Sequence, residues 1–177
     1  MSFPTRSISK LALILALTTA TAMTTPASAQ GFCDLLPASA VQSTLGISTA
    51  LTATPNTEGG NGCDYKGMAA GPVTIIADSS DDTGMYRAIF NQQLSRPGPN
   101  GQAISGLGDA AFCVESHHQQ IPKYPGVMYS KQDLVFRGKG KIISYICMIP
   151  GNGVSRAAVL ALGQLTLSKP INTLKNP

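Results

Sequence analysis

Arg6 and Lys10, with no acidic side chain among the first ten residues, lead straight into the unbroken apolar run 11–17. That junction governs how the rest of the chain is read. The apolar character fades through Thr18, Thr19 and Thr21 toward Ala27-Ser28-Ala29, where small residues at alternate positions suit a signal peptidase cleft. The pattern predicts a cleaved export leader over residues 1–29 and a mature chain beginning at Gln30. A permanent membrane anchor would need about 20 consecutive apolar residues, and this stretch is shorter and broken by hydroxyls. Cys33 follows Gln30-Gly31-Phe32 rather than a small-residue lipobox, so lipid attachment is not expected there.

Removing 29 residues from 177 leaves 148, enough for one core and one domain, 30–177. Two of the basic residues behind the formal charge of +4 go with the leader. The mature surface is thus close to neutral, which argues against a nucleic-acid partner, whose binding needs clustered cations. The basic cluster Arg137, Lys139 and Lys141 reads as a solvated turn.

An export route also sets the expectation for the four cysteines, Cys33, Cys63, Cys113 and Cys147. In an oxidising compartment they predict two disulfides, and sequential pairing, Cys33 with Cys63 and Cys113 with Cys147, is favoured by strand placement. Zinc would want close thiolate pairs, and no two cysteines lie nearer than 30 positions, so no metal or other cofactor is expected.

Along the chain, Pro37 to Leu45 reads as a short helix with Ala38, Val41 and Leu45 on one face. Ser48 to Gly62 reads as a loop, and Cys63 to Lys66 with Val73 to Asp78 as a hairpin. Ser79 or Ser80 is expected to cap a second helix, Asp81 and Asp82 filling its first turn. Tyr86, Phe90 and Leu94, flanked by Met85 and Ile89, form its predicted core stripe, and Pro97 ends it. After the stiff connection 96–101, strands are expected at Ala110 to Ser116, Asp133 to Gly138 and Lys141 to Ile149, the last two joined at Gly138-Lys139-Gly140. Asn152 is the expected cap of a final helix burying Val154, Ala158, Ala161 and Leu165. The predicted architecture is α+β, about five antiparallel strands with three helices on one face.

Catalytic chemistry finds little support. His117 and His118 are the only histidines. If strand pairing reaches them, Glu115 and His117 share a face while His118 points away, too small a set for a metal. No G-x-S-x-G elbow occurs, and paired cysteines leave no thiol nucleophile. Gly59-Gly60-Asn61-Gly62 precedes a strand, and Gly151-Asn152-Gly153 lacks the remainder of a phosphate loop, so neither reads as an anion cradle.

The string Gly106-Leu107-Gly108-Asp109-Ala110-Ala111-Phe112 reads physically as a tight bend feeding a buried strand. Together with Cys33-Asp34-Leu35-Leu36-Pro37, Val41, Leu45-Gly46 and Cys63-Asp64-Tyr65, it resembles small exported bacterial domains of unknown function. Those are common among actinobacterial envelope lipoproteins and are similar to the extracellular sensor domains of some serine/threonine kinases. The resemblance implies a cystatin-like α+β fold and brings no catalytic residues with it. The expected function is a non-catalytic envelope binding or sensing module with a protein or small-molecule partner and no stable membrane insertion. A secreted interaction or inhibitor protein and a hydrolase with an unrecognised site are the alternatives. The expected contact segment runs from His117 to Lys131, longer than a hairpin needs. His117, His118, Tyr124, Met128 and Tyr129 are its candidate partner-binding residues.

Overall fold

The computed structural model describes residues 31–56, 61–96, 98, 100–120 and 125–174, with backbone only at 117–120. The predicted leader and its cleavage site after Ala29 lie outside the described residues. The chain folds as α1 (Phe32–Leu35), α2 (Ala38–Leu45), β1 (Thr52–Asn56), β2 (Gly62–Met68), β3 (Pro72–Asp81), α3 (Gly84–Ser95), β4 (Gly101–Ile104), β5 (Ala110–Gln120), β6 (Met128–Gly138), β7 (Lys141–Pro150), α4 (Arg156–Leu167) and a 3-10 turn, Ile171–Thr173. All seven strands form one antiparallel sheet in the order β1-β2-β3-β7-β6-β5-β4.

The expected α+β class holds, and the details differ. Among the described residues there are seven strands rather than five and four α-helices rather than three. The two missed strands are the sheet's edges. β1 lies within the segment read as a loop, and β4 follows the connection after α3; both are short and carry mostly polar or small residues. An edge strand borrows its order from the neighbour it pairs with, so it needs no apolar alternation of its own.

One face of the sheet carries the main core. Tyr65, Ile75, Leu134, Phe136, Ile143 and Tyr145 project from it and pack beneath α1, α2 and α4. Tyr65 and Tyr145 are fully buried, and each hydroxyl has a partner. Tyr65 donates to the Leu36 carbonyl at 2.7 Å, and Tyr145 lies 2.6 Å from Thr166 Oγ1 on α4. On α4 the buried residues are Val159, Leu162, Gly163 and Thr166, one position on from the predicted stripe, and the helix is capped by Ser155 rather than Asn152.

The expectation that all helices share one face fails at α3, which covers the other. Phe90 packs there on Phe112 and Ile142, its ring centroid 5.7 Å from that of Phe112. The helix also begins later than predicted. β3 runs through Asp81, which pairs in register with Lys141, and Thr83 takes the N-cap position. Asp82 therefore serves not as a first-turn charge but as a tie, accepting from Arg87 at 3.0 Å with Arg137 at 3.7 Å.

The basic cluster is structural. Arg137 lies over the Phe90 ring, Lys139 donates to the Lys169 carbonyl, and buried Lys141 joins Asp81 to the Leu174 carbonyl at 2.8 and 2.9 Å. The turn between β6 and β7 has Lys139 at φ 52° and Gly140 at φ 76°, a two-residue left-handed turn of the kind that matches strand twist. Gly106 and Gly108 likewise take positive φ in the bend before β5, placing buried Leu107 in the core.

Cys33 and Cys63 form a disulfide with Cα atoms 5.2 Å apart, fastening α1 to β2 as predicted. The second predicted disulfide does not form: Cys113 and Cys147 are free and buried. They sit on β5 and β7 with β6 between them. Two strand spacings put their Cα atoms roughly 10 Å apart, beyond the reach of about 7 Å that a disulfide allows.

Candidate functional site

The face of the sheet that α3 covers is only partly filled, and a cleft of about 360 Å³ lies between helix and sheet. Its floor comes from four adjacent strands, with Ser80 on β3, Ser144 and Ile146 on β7, Asp133 and Val135 on β6, and Val114 on β5. Tyr86, Ile89, Phe90 and Gln93 of α3 form its wall. Within the predicted stripe only Phe90 is buried. Met85, Tyr86 and Ile89 remain 67%, 48% and 43% exposed, so one flank of α3 presents apolar surface to solvent beside the cleft. The tie of Asp82 to Arg87 and Arg137 holds the N-terminal end of α3 down while leaving that flank open.

Among the described residues, Asp133 carries the only full charge lining the cleft. Lys131, two residues earlier on the same face, donates to its Oδ2 at 2.7 Å, while Oδ1 is buried without a hydrogen-bond partner. The register sets Asp133 opposite Ile146 across β6 and β7, and Asp78 opposite Ser144 across β3 and β7. Two carboxylates thus flank the same stretch of β7 from either side on the open face. Asp78 in turn stands near Asp64 of β2, itself paired with Lys66 at 2.9 Å. Desolvation, followed by the charge of Asp64, raises the Asp78 pKa above the ordinary carboxylate value.

The thiols lie on the opposite face. Burial pushes Cys147 up to about 12 and raises Cys113 as well, so neither is held as a nucleophilic thiolate at neutral pH. Among the described residues no three His, Cys, Asp or Glu side chains converge as a metal-binding group, and no helix is long and apolar enough to cross a membrane.

The residues singled out from sequence are dispersed relative to this cleft. Pairing extends into the expected contact segment from both ends, β5 reaching Gln120 and β6 beginning at Met128. His117 and His118 fall in the backbone at a bulge. Ser116 pairs with Lys131 and Gln119 with Tyr129, so two residues oppose Ser130 alone. Tyr124 lies outside the described residues. Met128 is 41% exposed, whereas Tyr129 is 2% exposed, its hydroxyl close against Gly71.

Neither Met128 nor Tyr129 lines the cleft. The signal that could have found it is the run 142–149, whose apolar residues occupy both alternating faces: Ile142 and Ile146 on one, Ile143 and Tyr145 on the other. A strand apolar on both sides requires cover on both sides. No protein-family model matches this chain, and no curated protein and no solved structure is significantly similar to it.

Proposed function

We propose that this protein is an exported, non-catalytic binding or sensing module of the cell envelope, and that its ligand occupies the cleft between α3 and the open face of the sheet. The observation that carries the reading is the asymmetry of cover. Three helices fill one face, while a single helix leaves a concave, mainly apolar opening on the other, with a few placed polar groups. Ligand sites have this composition, and a volume of about 360 Å³ falls within their usual range of roughly 300–1,000 Å³. The leader-like N-terminus supports an envelope location, and the disulfide Cys33–Cys63 suits an oxidising compartment.

Ser144→Phe places a ring on the cleft floor and tests the reading. A thermal-shift screen of small amphipathic compounds against the purified mature chain should find stabilising ligands that the Ser144→Phe variant, folded by circular dichroism, no longer binds. A variant that retains all binding would move the site elsewhere.

A further inference from the structure

We infer that the cleft selects an apolar ligand carrying a single cationic ammonium head, held by Asp133 on the cleft floor; the inference rests on the cleft being the binding site.

A carboxylate offers about four acceptor positions. Asp133 uses one, toward Lys131, and its Oδ1 has no partner. Its side chain is 26% exposed, and rotation about Cβ–Cγ, a soft two-fold torsion, presents either oxygen to an incoming donor. Across β7, Asp78 lies outside the cleft's lining with its Oδ1 turned toward Gly62 of β2, so it adds negative charge nearby rather than an acceptor in the cleft. The surrounding floor and wall, Val114, Val135, Ile146, Ile89 and Phe112, supply no opposite charge.

Two acidic groups with one nearby lysine leave a net negative field over Ser144 and Ile146. Low-dielectric walls strengthen that field. An ammonium group would find its acceptor in Asp133 while its alkyl or aryl body lay along α3. A carboxylate of the same shape would meet the like charge of Asp133.

Three probes of equal length separate the terms: decylammonium, decan-1-ol and decanoate, each below its micellar limit, measured by calorimetry at neutral pH on the mature chain. Decylammonium is expected to bind at least about tenfold more tightly than decanol, and decanoate most weakly, since a hydrogen bond to a charged group is worth roughly a tenfold factor or more. Asp133→Asn should cut the preference for decylammonium over decanol by about tenfold. Asp78→Asn, which leaves the Lys131–Asp133 pair intact and removes only a charge beyond the lining, should reduce the preference by a smaller factor. Equal binding of all three probes, or a preference that survives Asp133→Asn, overturns the ammonium assignment and leaves the cleft standing as an apolar site. Failure of all three to bind overturns the assignment and the cleft reading together.

Discussion

The hydroxyls of Tyr145 and Thr166 meet at 2.6 Å in the main core, joining the central strand β7 to α4. Thr166 Oγ1 also donates to the Leu162 carbonyl at 2.7 Å, which commits its only hydrogen and makes Tyr145 the donor between them. The two truncations are therefore unequal. Tyr145→Phe removes one hydrogen bond and should cost about 1 kcal/mol. Thr166→Val leaves the Tyr145 hydroxyl buried without an acceptor and should cost about 1–3 kcal/mol. Urea denaturation of the two variants checks the order, and a larger loss from Tyr145→Phe would reverse the assigned donor.

Gly163 sits on α4 where its helix approaches the bend before β5. A Cβ there would stand 2.9 Å from Leu107 Cδ2 and 3.1 Å from Leu134 Cδ2. Alanine would gain up to about 1 kcal/mol in helix propensity and lose about 1–3 kcal/mol to overpacking. Gly163→Ala should therefore be neutral to moderately destabilising, and adding Leu107→Ala should reveal a coupling favourable to the pair. Additive losses in a double-mutant cycle would refute the contact.

The two free thiols give a chemical readout. With burial raising both, a thiol reagent at pH 8 should label neither Cys113 nor Cys147 in the folded protein and both in denaturant. Peptide mapping should recover Cys33 linked to Cys63 alone. Replacing that pair by serine should cost about 3–4 kcal/mol for a loop of this size, as read from the urea midpoint. Rapid native labelling at Cys113 would contradict its burial.

Asp78 makes stability depend on pH with a defined sign. Its folded pKa is raised from 3.8, so the folded chain holds this proton more tightly than the unfolded chain does. The contribution favours folding below the unfolded pKa and is lost as pH rises through the folded value. Asp78→Asn should raise the melting temperature relative to the parent at pH 7 and bring little or no gain at pH 3. An advantage of equal size at both pH values would mean that ionisation is not its source.

The central strands and long helices were legible because their side chains alternate or recur at helical spacing. The edge strands were not, since neither Thr52–Asn56 nor Gly101–Ile104 has a buried face to advertise. The site was missed for a related reason. Tyr86 and Ile89 recur as a core stripe would, and sequence cannot tell a stripe that meets a filled surface from one that borders an opening. Cysteine pairing was half legible. Cys33 and Cys63 meet through adjacent elements, whereas Cys113 and Cys147 share a face with another strand between them, a spacing visible only once the order β7-β6-β5 is known.

That strand order also sets a timetable. The described chain contains two meanders, β1-β2-β3 and β4-β5-β6-β7, and they are sewn together only where β3 meets β7, from Thr74 with Met148 to Asp81 with Lys141. During synthesis, the end of β3 emerges 60 residues before its partner begins. Until then it presents an unpaired edge of the kind that invites association. Long-range closure of this sort is slow, on the order of milliseconds to seconds. A holding chaperone would therefore find its target in residues 72–81, and its moment of release in the arrival of Lys141.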